Sequence, residues 1–454
     1  MKELGYISPR RSEEIAGSHW GICIYSAPSL EDMLERAAYL GVKWARISAH
    51  STSFESEKGE HQWSYFEEEV NGLMKRQIQP FVTVSGGQAL TDGSIQPPTA
   101  SAEAMKSWLT FVEALVGQFR DRVHHWEIWN EPNHPTYWKP KSAPEAYAEL
   151  VKKTSKTIRS VDPKAKIVAG ALSGVDIPFA EGLFARGVAP YIDKFTYHPY
   201  HAFPEACIEP MRDWTVQGGA LSSYLVRDLQ SLVLNQERPI SLWQGECGYP
   251  STEHSLGWRD PWGGPWGERI QAKWLLRRSL LDISVGVEVS TYFTLVDYRD
   301  KDITNTKGLL RFGSWQPKPA YFSYQNLTSL VDNRLAPVKV PTEFRILDHG
   351  DFYGARPETI HFTSFSSLDG QKLFFYWLPW RAQENVGQAR LALRLKNAGF
   401  NDPVLVDLLD GVVYEISYVK EEESTHFPEL PLADYPLAVV SRDSVEVTSS
   451  RIFG

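Results

Sequence analysis

The segment VHHWEIWNEPN, residues 123–133, carries the strongest structural signal in this 454-residue chain. Its first eight residues are rich in apolar and aromatic side chains and predict a buried β-strand. Asn130, Glu131 and Pro132 stand where this strand ends. A carboxylate between an amide side chain and a rigid proline is typical of a side chain that its neighbours fix in position, rather than one that solvent surrounds. Glu131 is therefore a candidate functional residue, and a helix-capping or surface glutamate is the alternative.

Similar short apolar runs alternate with helical patterns on both sides of this segment, which predicts βα units and a parallel sheet. The predicted strands lie at 19–26, 43–48, 79–87, 123–130, 166–173, 194–200, 240–246 and 287–297, with clear helices at 30–40, 101–119 and 317–331. Eight such units predict a (β/α)₈ TIM barrel over residues 1–334. An open doubly wound sheet is the alternative, but no Gly-rich phosphate-binding turn follows the first strand.

The pattern changes after residue 335, where apolar residues alternate with a period of two. Runs such as HFTSFSS and KLFFYWL are separated by turn signals such as LDG and NAGFND. This predicts a C-terminal antiparallel β-sandwich domain over residues 335–454. Residues 1–18 are assigned to the barrel domain or to packing against this second domain.

Composition narrows the class of protein. The formal net charge of −9 comes without a Lys/Arg cluster, so we expect no nucleic-acid partner. No apolar run reaches the roughly 20 residues that span a bilayer, and the N-terminal residues lack an apolar signal core, so we expect no membrane partner. The location is predicted to be cytoplasmic, or secreted if an export segment was removed. The sequence does not indicate an oligomeric state.

Cysteine and histidine usage gives no sign of a metal or a cofactor, and we expect neither. The three cysteines, Cys23, Cys207 and Cys247, show no CxxC spacing and are predicted to be buried thiols, with one disulfide as the alternative. The candidate histidines are scattered, with no HxH pair at a strand end. A metal-dependent barrel hydrolase is therefore a minor alternative.

A second carboxylate ends a later strand, in LWQGECGYPS at residues 242–251. Glu246 lies 115 residues after Glu131, close to the length of three βα units, which assigns the two glutamates to strands four and seven. Active sites of such barrels form at the carboxyl ends of the strands. Two carboxylates about 5–5.5 Å apart at that end are what retaining glycosidases use. A structural ion pair between Glu246 and Arg46 is the alternative.

With these motifs the chain resembles the clan A glycoside hydrolases, and family 39 most closely. The resemblance rests on WEIWNEPN, on YHPY (197–200), on the strand-seven glutamate and on KPAYFSY (318–324). It implies a retaining enzyme that cleaves an equatorial β-glycosidic bond, with Glu131 as acid/base and Glu246 as nucleophile. Two departures put the substrate in doubt: GECGYPS stands where Thr-Glu-Thr/Phe-Gly is usual, and Tyr292 and Phe293 stand where many members have tryptophan.

The chemistry assigns roles to neighbouring residues. Glu131 must be protonated before it donates, so we expect the nearby charge of Glu246 to raise the pKa of Glu131. Glu246 must stay ionised and needs hydrogen-bond donors. Arg46, predicted at the end of strand two, and His198 or Tyr200 on strand six are the candidates, with a buried core histidine as the alternative for His198. Asn130 is expected to bind the 2-hydroxyl of the sugar.

Further substrate-binding candidates rest on weaker signals. They are Trp138 after the acid/base loop, Tyr292 and Asp297 on strand eight, and Trp258 and Trp262 in the long loop after strand seven. Loops at this end of a barrel carry specificity, and tryptophan is a common platform for sugar rings. The alternatives are packing for the tryptophans and helix capping for Asp297.

Two questions stay open at this level. The substrate is a β-xyloside, a β-galactoside or glucoside, or an internal bond of an exopolysaccharide, so exo and endo action are both allowed. A catalytically inactive carbohydrate-binding barrel is the rival from a different class, although both carboxylates are present.

Overall fold

The computed structural model of the chain describes residues 1–25, 29–54, 62–200, 204–207, 226–251, 266–300, 303–350, 352, 360–367, 370–379, 382–385 and 389–451. In chain order the strands are β1 (Lys2–Ile7), β2 (Trp20–Cys23), β3 (Trp44–His50), β4 (Gln79–Ser85), β5 (Gln88–Ala89), β6 (Ile95–Gln96), β7 (His125–Ile128), β8 (Lys166–Ser173), β9 (Lys194–His198), β10 (Ser241–Cys247), β11 (Val289–Tyr292), β12 (Tyr298–Asp300), β13 (Ile303–Asn305), β14 (Leu335–Pro337), β15 (Thr342–Asp348), β16 (His361–Ser367), β17 (Lys372–Trp377), β18 (Ala389–Lys396), β19 (Pro403–Asp407), β20 (Val412–Glu415), β21 (Val419–Lys420), β22 (Ser424–Leu432), β23 (Leu437–Ser441) and β24 (Val447–Thr448).

The α-helices alternate with the strands of the first two thirds of the chain. They are α1 (Leu30–Tyr39), α2 (Ser64–Lys75), α3 (Ala102–Phe119), α4 (Pro144–Val161), α5 (Ile177–Ala185), α6 (Val226–Leu234), α7 (Glu268–Ser284) and α8 (Pro319–Leu330). The start of α1 follows from its sequence, because the side chain of Ser29 accepts a hydrogen bond from the backbone N–H of Asp32. Gly41 has a positive φ of 72° just after this helix, as a helix-ending glycine should.

Eight parallel strands close into a barrel in the order β2-β3-β4-β7-β8-β9-β10-β11, with β11 pairing back to β2. The predicted TIM barrel is confirmed, and each of the eight predicted strands coincides with one of these. The barrel interior is packed with large side chains. One small cluster at its amino-terminal end consists of Phe81, Val168, Trp243 and Val289.

The C-terminal residues form two antiparallel sheets, which confirms the predicted β-sandwich. An eight-stranded sheet has the order β14-β16-β17-β23-β19-β20-β1-β24, and a four-stranded sheet has the order β15-β18-β22-β21. The N-terminal strand β1 belongs to the larger sheet, where Lys2 to Tyr6 pair with β20. The first residues of the chain therefore pack with the second domain before the chain enters the barrel.

Buried ion pairs join helix α7 of the barrel to the sandwich. Arg277 donates to both carboxylate oxygens of Glu205, from Nε to Oε1 and from Nη2 to Oε2, each at 2.6 Å. Glu205 also accepts from the indole N–H of Trp377 on β17 at 2.8 Å. Nζ of Lys273 lies 2.8 Å from Oδ1 of Asp434. These contacts hold the two parts of the chain firmly together.

Two smaller expectations concern burial and the membrane. Cys23 and Cys247 are buried, as predicted, while the side chain of Cys207 lies outside the described part of the chain. Over the described residues, no helix combines the length and the apolar character that crossing a bilayer requires.

Candidate active site

Glu131 lies just past the carboxyl end of β7 in a constrained backbone conformation. Its φ is 45°, and that of Trp129 is 72°, in the left-handed region that non-glycine residues rarely adopt. The backbone N–H of Glu131 donates to the carbonyl of Ala171 on β8 at 2.9 Å, and its own carbonyl accepts from His134 at 2.9 Å. These bonds fix the turn that carries the carboxylate. Backbone strain of this kind concentrates at functional sites.

Glu246 lies near the carboxyl end of β10, where each carboxylate oxygen has one donor. Nη1 of Arg46 donates to Oε2 at 2.7 Å, and the hydroxyl of Tyr200 donates to Oε1 at 2.7 Å. Both bonds stabilise the ionised form. Burial and the charge of Glu246 raise the pKa of Tyr200 well above its usual range, so its hydroxyl stays protonated and remains a donor.

The two glutamates face each other across the mouth of the barrel. One carboxylate oxygen of Glu131, one of Glu246 and a ring nitrogen of His198 all lie within 4.8 Å of one another. Both glutamates are 9% exposed, so each is accessible from the mouth but largely out of bulk water. The structure thus brings together the two carboxylates that the sequence assigned to strands four and seven.

Glu131 is paired with a fully buried histidine. Nδ1 of His198 lies 2.9 Å from Oε1 of Glu131. Burial raises the pKa of Glu131, but the hydrogen bond to His198 and the charges of His198, His134 and Arg46 lower that pKa below its usual value. The expected rise in the pKa of Glu131 through Glu246 is therefore wrong for the unliganded site. The hydrogen bond to His198 and the charges of His198, His134 and Arg46 together outweigh the effect of burial on this pKa.

Arg46 connects the residues of this site from below. It is the third residue of β3 rather than the last, and its side chain extends toward the carboxyl ends of the strands, where Asn130 and Glu246 lie. Besides Glu246, it donates from Nη2 to Oδ1 of Asn130 at 2.8 Å, and from Nε and Nη2 to Glu127 at 2.9 and 2.7 Å. Because the side-chain oxygen of Asn130 accepts from Arg46, its side-chain N–H groups, which bond no other described residue, can donate to a ligand. The ion pair between Arg46 and Glu246, which the sequence analysis gave as the alternative to a catalytic role, is therefore present within the candidate site.

Several residues at the mouth escaped the sequence analysis. Tyr25 and Tyr137 are each 37% exposed there. Tyr25 stacks on Tyr298 at 5.7 Å and meets Phe293 edge-on at 5.3 Å. Burial and the charges of Glu131 and Glu246 raise the pKa of Tyr137. A usable signal was present for Tyr25, which comes two residues after a barrel strand.

Lys307 is a further basic residue of the site that was missed. Its Nζ lies 5.7 Å from the centre of the Tyr200 ring. Burial lowers the pKa of Lys307, while the charge of Glu246 raises it. Its position follows a hairpin beyond the last barrel strand, where no strand-end pattern marks it.

Three predicted substrate-binding side chains are held in other contacts. Trp138 is 2% exposed and packs against Trp129 at 5.6 Å and Tyr147 at 6.0 Å, which favours packing. Tyr292 is 4% exposed, with its hydroxyl 3.4 Å from the Tyr249 carbonyl. Asp297 forms a buried ion pair at 2.8 Å with Nζ of Lys318, the residue that precedes the first turn of α8. Trp258 and Trp262 lie outside the described residues.

The cluster of Glu131, His198 and Glu246 also has the donor atoms of a metal site, which the scattered histidines in the sequence did not suggest. The surrounding charge disfavours that use. The guanidinium of Arg46 already lies 2.7 Å from Glu246 and would repel a divalent cation. The described residues therefore fit an acid/base and nucleophile pair better than a metal centre.

Part of the chain matches known proteins. The sequence model described as "Glycosyl hydrolases family 39" matches residues 42–187. A beta-xylosidase of Geobacillus stearothermophilus is 28% identical over 191 residues, which covers 35% of this chain and 36% of that protein. The chain thus spans about a third of the length of this curated relative.

Solved structures extend the similarity of the fold to the whole chain. A family 39 glycoside hydrolase from Bacteroides cellulosilyticus WH2 superimposes with a TM-score of 0.71 at 20% identity, over 96% of this chain and 83% of that chain. A family 30 subfamily 8 xylanase from Clostridium acetobutylicum gives a TM-score of 0.61 at 11% identity, over 96% and 97%. The solved structures thus show a shared fold, while the resemblance to the family 39 glycoside hydrolases is confirmed by the match to residues 42–187 and by the beta-xylosidase relative.

Proposed function

We propose that the chain is a retaining glycoside hydrolase that cleaves a β-glycosidic bond by double displacement. Glu131 acts as the acid/base and Glu246 as the nucleophile. The observation that carries this proposal is the approach of the two carboxylates, with oxygens of each within 4.8 Å. Retaining enzymes hold them about 5–5.5 Å apart, whereas inverting enzymes leave about 6.5–9.5 Å for a water molecule.

In the first step, a carboxylate oxygen of Glu246 forms a bond to the anomeric carbon while the bond to the leaving oxygen breaks. The proton of Glu131 passes to that leaving oxygen, which departs as an alcohol. Tyr200 and Arg46 orient the attacking carboxylate. The step needs a protonated Glu131, so the proton that this residue shares with His198 must lie on the carboxylate when the substrate is bound.

In the second step, water attacks the anomeric carbon of the glycosyl-enzyme and the bond to Glu246 breaks. Glu131, now ionised, takes the proton of this water. Arg46, whose Nη1 lies 2.7 Å from Oε2 of the free Glu246, stabilises the negative charge as it returns to this carboxylate. The two inversions give net retention at the anomeric carbon.

Asn130 is proposed to bind the 2-hydroxyl of the sugar. Its Oδ1 is held by Arg46, which orients the side chain and leaves its N–H groups as donors. Hydrogen bonds to the 2-hydroxyl strengthen in the transition state of this reaction. Tyr25, Tyr137 and Lys307 are proposed to line the same subsite, because they lie at the mouth around the two carboxylates.

For the substrate we propose a β-xyloside first, since the Geobacillus relative is a beta-xylosidase. A β-galactoside, a β-glucoside and an internal bond of a polysaccharide remain the alternatives, the last of these by endo action. The proposal involves neither a metal nor a cofactor. With a formal net charge of −9, no nucleic-acid partner is proposed.

The test is a panel of nitrophenyl α- and β-glycosides and xylo-oligosaccharides, assayed with wild type, Glu246→Gln and Glu131→Ala. Glu205→Gln serves as the matched control, because it removes a buried carboxylate outside the site. We expect hydrolysis of a β-glycoside by wild type and the control, and loss with Glu246→Gln. A 2-fluoro glycoside should label Glu246, and labelling of another residue would refute the nucleophile assignment.

The acid/base assignment has its own readout. Glu131→Ala should still react with activated aryl β-glycosides, whose leaving group needs no proton, and azide should restore turnover as the β-glycosyl azide. If aryl and natural substrates were equally impaired and azide gave no product, Glu131 would not be the acid/base.

Two further controls separate the rival functions. Activity unchanged by a strong chelator would argue against the metal-dependent alternative, which the cluster of Glu131, His198 and Glu246 makes worth testing. Binding of an oligosaccharide without any cleavage product, at several pH values, would support the inactive carbohydrate-binding barrel instead.

A further inference from the structure

Glu127 is a third carboxylate, buried below the two at the mouth of the barrel. We infer that Glu127 is a positioning residue, which tunes the nucleophile by taking part of the positive charge of Arg46 away from Glu246. This inference rests on the proposed function. It assigns a role to the first acidic residue of WEIWNEPN, which the proposed mechanism does not use.

The surroundings of Glu127 make it a fixed anion. It lies on β7, is fully buried, and contacts neither the mouth nor bulk solvent. Its Oε2 accepts from Nε and Nη2 of Arg46 and from the hydroxyl of Thr83 at 2.7 Å, and its Oε1 accepts from the hydroxyl of Thr196 at 2.5 Å. Four hydrogen bonds, two of them from Arg46, thus fix the position of this carboxylate.

One guanidinium therefore serves two carboxylates. Arg46 gives Nε and Nη2 to Glu127 and Nη1 to Glu246, and all three side chains lie in the barrel interior. The paired charges of Arg46 and Glu127 nearly cancel, so Glu246 meets a hydrogen-bond donor with most of its positive charge neutralised. A guanidinium that served Glu246 alone would stabilise the anion more strongly, and that would make it a weaker nucleophile.

The same argument gives opposite effects on the two chemical steps. Stronger stabilisation of the Glu246 anion slows its attack on the anomeric carbon. It also makes the carboxylate a better leaving group, which speeds the hydrolysis of the glycosyl-enzyme. A residue that only supports folding would slow both steps together, so the two roles can be told apart.

Other titratable groups also influence the charges of Arg46 and Glu246. They are the same in wild type and in a Glu127 variant. They are Cys23 and Tyr25 at the end of β2, Tyr200 after β9, Lys307 beyond β13, and the Glu131–His198 pair. Of these, Tyr200 contacts Glu246 directly. The charge of Glu127 also acts on Cys23 and on Tyr147, but neither of them hydrogen-bonds Glu246 in the described part of the chain. Arg46 bonds both Glu127 and Glu246, so substitution at Glu127 is expected to act on Glu246 mainly through Arg46.

The decisive variant is Glu127→Gln, which removes the charge and keeps the size. Glycosylation is followed as kcat/KM on a substrate with a poor leaving group, and deglycosylation as the turnover of a pre-formed glycosyl-enzyme. We expect kcat/KM to fall by about 10- to 100-fold, the range typical of residues that orient an active group. We also expect the acidic limb of its pH profile to move to lower pH, and deglycosylation to become faster.

Thr83→Val is a second variant, which changes the core only slightly. It is expected to affect the ion pair between Arg46 and Glu127 in the opposite direction to Glu127→Gln. It removes a donor from Oε2 of Glu127, so that oxygen binds Arg46 more strongly and Arg46 stabilises Glu246 less. The acidic limb should then move to higher pH, and deglycosylation should become slower. This prediction remains testable even if Glu127→Gln does not fold.

The matched control is Glu205→Gln, which removes a buried carboxylate from the Arg277 pair outside the site. It should lower thermal stability and leave the pH profile unmoved. The inference would be overturned if Glu127→Gln slowed glycosylation and deglycosylation equally. It would also be overturned if the acidic limb of kcat/KM against pH stayed in place in both the Glu127 and the Thr83 variants. The proposed function itself is judged separately, by hydrolysis with wild type and its loss in Glu246→Gln.

Discussion

Nδ1 of His198 lies 2.9 Å from Oε1 of Glu131, while Nε2 of the same ring has no hydrogen-bond partner among the described residues. The ring and the carboxylate therefore compete for one proton. A proton on the ring lowers the pKa of Glu131, and burial of the carboxylate raises it. Which of the two groups holds the proton decides whether Glu131 can act as an acid.

The first prediction concerns His198→Phe. It removes the hydrogen bond and the positive charge that lower the pKa of Glu131, and leaves the burial that raises it. The basic limb of kcat/KM against pH, which reports loss of the proton from the acid, should move to higher pH. The rate at the optimum should also fall, because the carboxylate loses its orienting partner.

The measurement is a full pH profile with wild type, His198→Phe and His198→Asn. The asparagine retains a hydrogen-bonding group without a titratable proton, so it separates orientation from charge. A basic limb that stays in place in both variants would mean that His198 only fills space below the acid/base loop.

The second prediction concerns Tyr200→Phe. The lost hydroxyl donates to Oε1 of Glu246 at 2.7 Å and stabilises its ionised form. Without it, the acidic limb of kcat/KM should move to higher pH and the rate should fall by about 10- to 100-fold, as for other orienting contacts. Tyr321→Phe is a suitable control, because its hydroxyl donates to the carbonyl of Arg36, on the outside of the barrel. Identical profiles for the two variants would contradict a role for Tyr200 at the nucleophile.

The third prediction concerns Lys307→Met. No carboxylate of the described residues lies within ion-pair distance of Nζ, which stands 5.7 Å from the centre of the Tyr200 ring. We expect this ammonium to bind a hydroxyl of the sugar. Hydrogen bonds to charged groups contribute about 1.5–3 kcal/mol, so kcat/KM should fall by about 10- to 150-fold. Kinetics beside the exposed control Lys164→Met would test this, and a change no larger than in the control would contradict it.

The sequence predicted the barrel well because each βα unit leaves a local signal. Apolar runs mark the strands, Ser29 and Gly41 mark the ends of α1, and the strand ends place Glu131 and Glu246 on one face. The spacing of the two carboxylates follows from the topology of the barrel alone. For the same reason Tyr200, two residues beyond a strand end, was found as a donor to Glu246.

What the sequence did not reveal depends on contacts between distant segments. Nothing in the strand containing Glu127 distinguishes a side chain directed at Arg46 from any other buried residue. Trp138 is buried behind the acid/base loop because of the direction in which its ring points. The pairing of Asp297 with Lys318 likewise depends on the direction of the carboxylate. The predicted direction of the shift in the pKa of Glu131 was wrong because His198 was considered only as a hydrogen-bond donor to Glu246.

The fourth prediction concerns the contact between the barrel and the sandwich. Burial raises the pKa of Glu205, but Arg277 and Trp377 lower it below its usual value, so the carboxylate is ionised at neutral pH. Glu205→Ala leaves a buried guanidinium without its partner and should reduce the free energy of unfolding by about 3–5 kcal/mol.

The pH dependence of this effect has a definite sign. A depressed pKa in the folded state stabilises the protein above the unfolded pKa of about 4.3 and loses that contribution as the pH falls through the folded value. Denaturant unfolding at pH 7 and at pH 4 should therefore show a larger difference between wild type and variant at pH 7. An equal difference at both pH values would show that the charge of Glu205 contributes nothing.

The last prediction concerns Gly248, two residues after Glu246 in GECGYPS. A Cβ atom built there would stand 1.7 Å from the carbonyl oxygen of Phe293, so the backbone after β10 and the backbone after β11 approach too closely for any side chain. Phe293 also donates its N–H to the carbonyl of Cys247 at 2.9 Å, which ties the two strand ends together. Gly248→Ala must separate these ends, and that displaces the strand carrying Glu246.

We expect Gly248→Ala to lose at least about 1–3 kcal/mol of stability, the usual effect of overpacking, and to lose most of its activity. Gly117→Ala is the matched control. Its Cβ would lie 3.9 Å from Val161 inside helix α3, and alanine there should be neutral or stabilising by about 0.5–1 kcal/mol. Thermal unfolding and kcat/KM of both variants provide the test. A Gly248→Ala protein with wild-type stability and activity would mean that the strand ends can move apart freely, and that the position of Glu246 does not depend on their close contact.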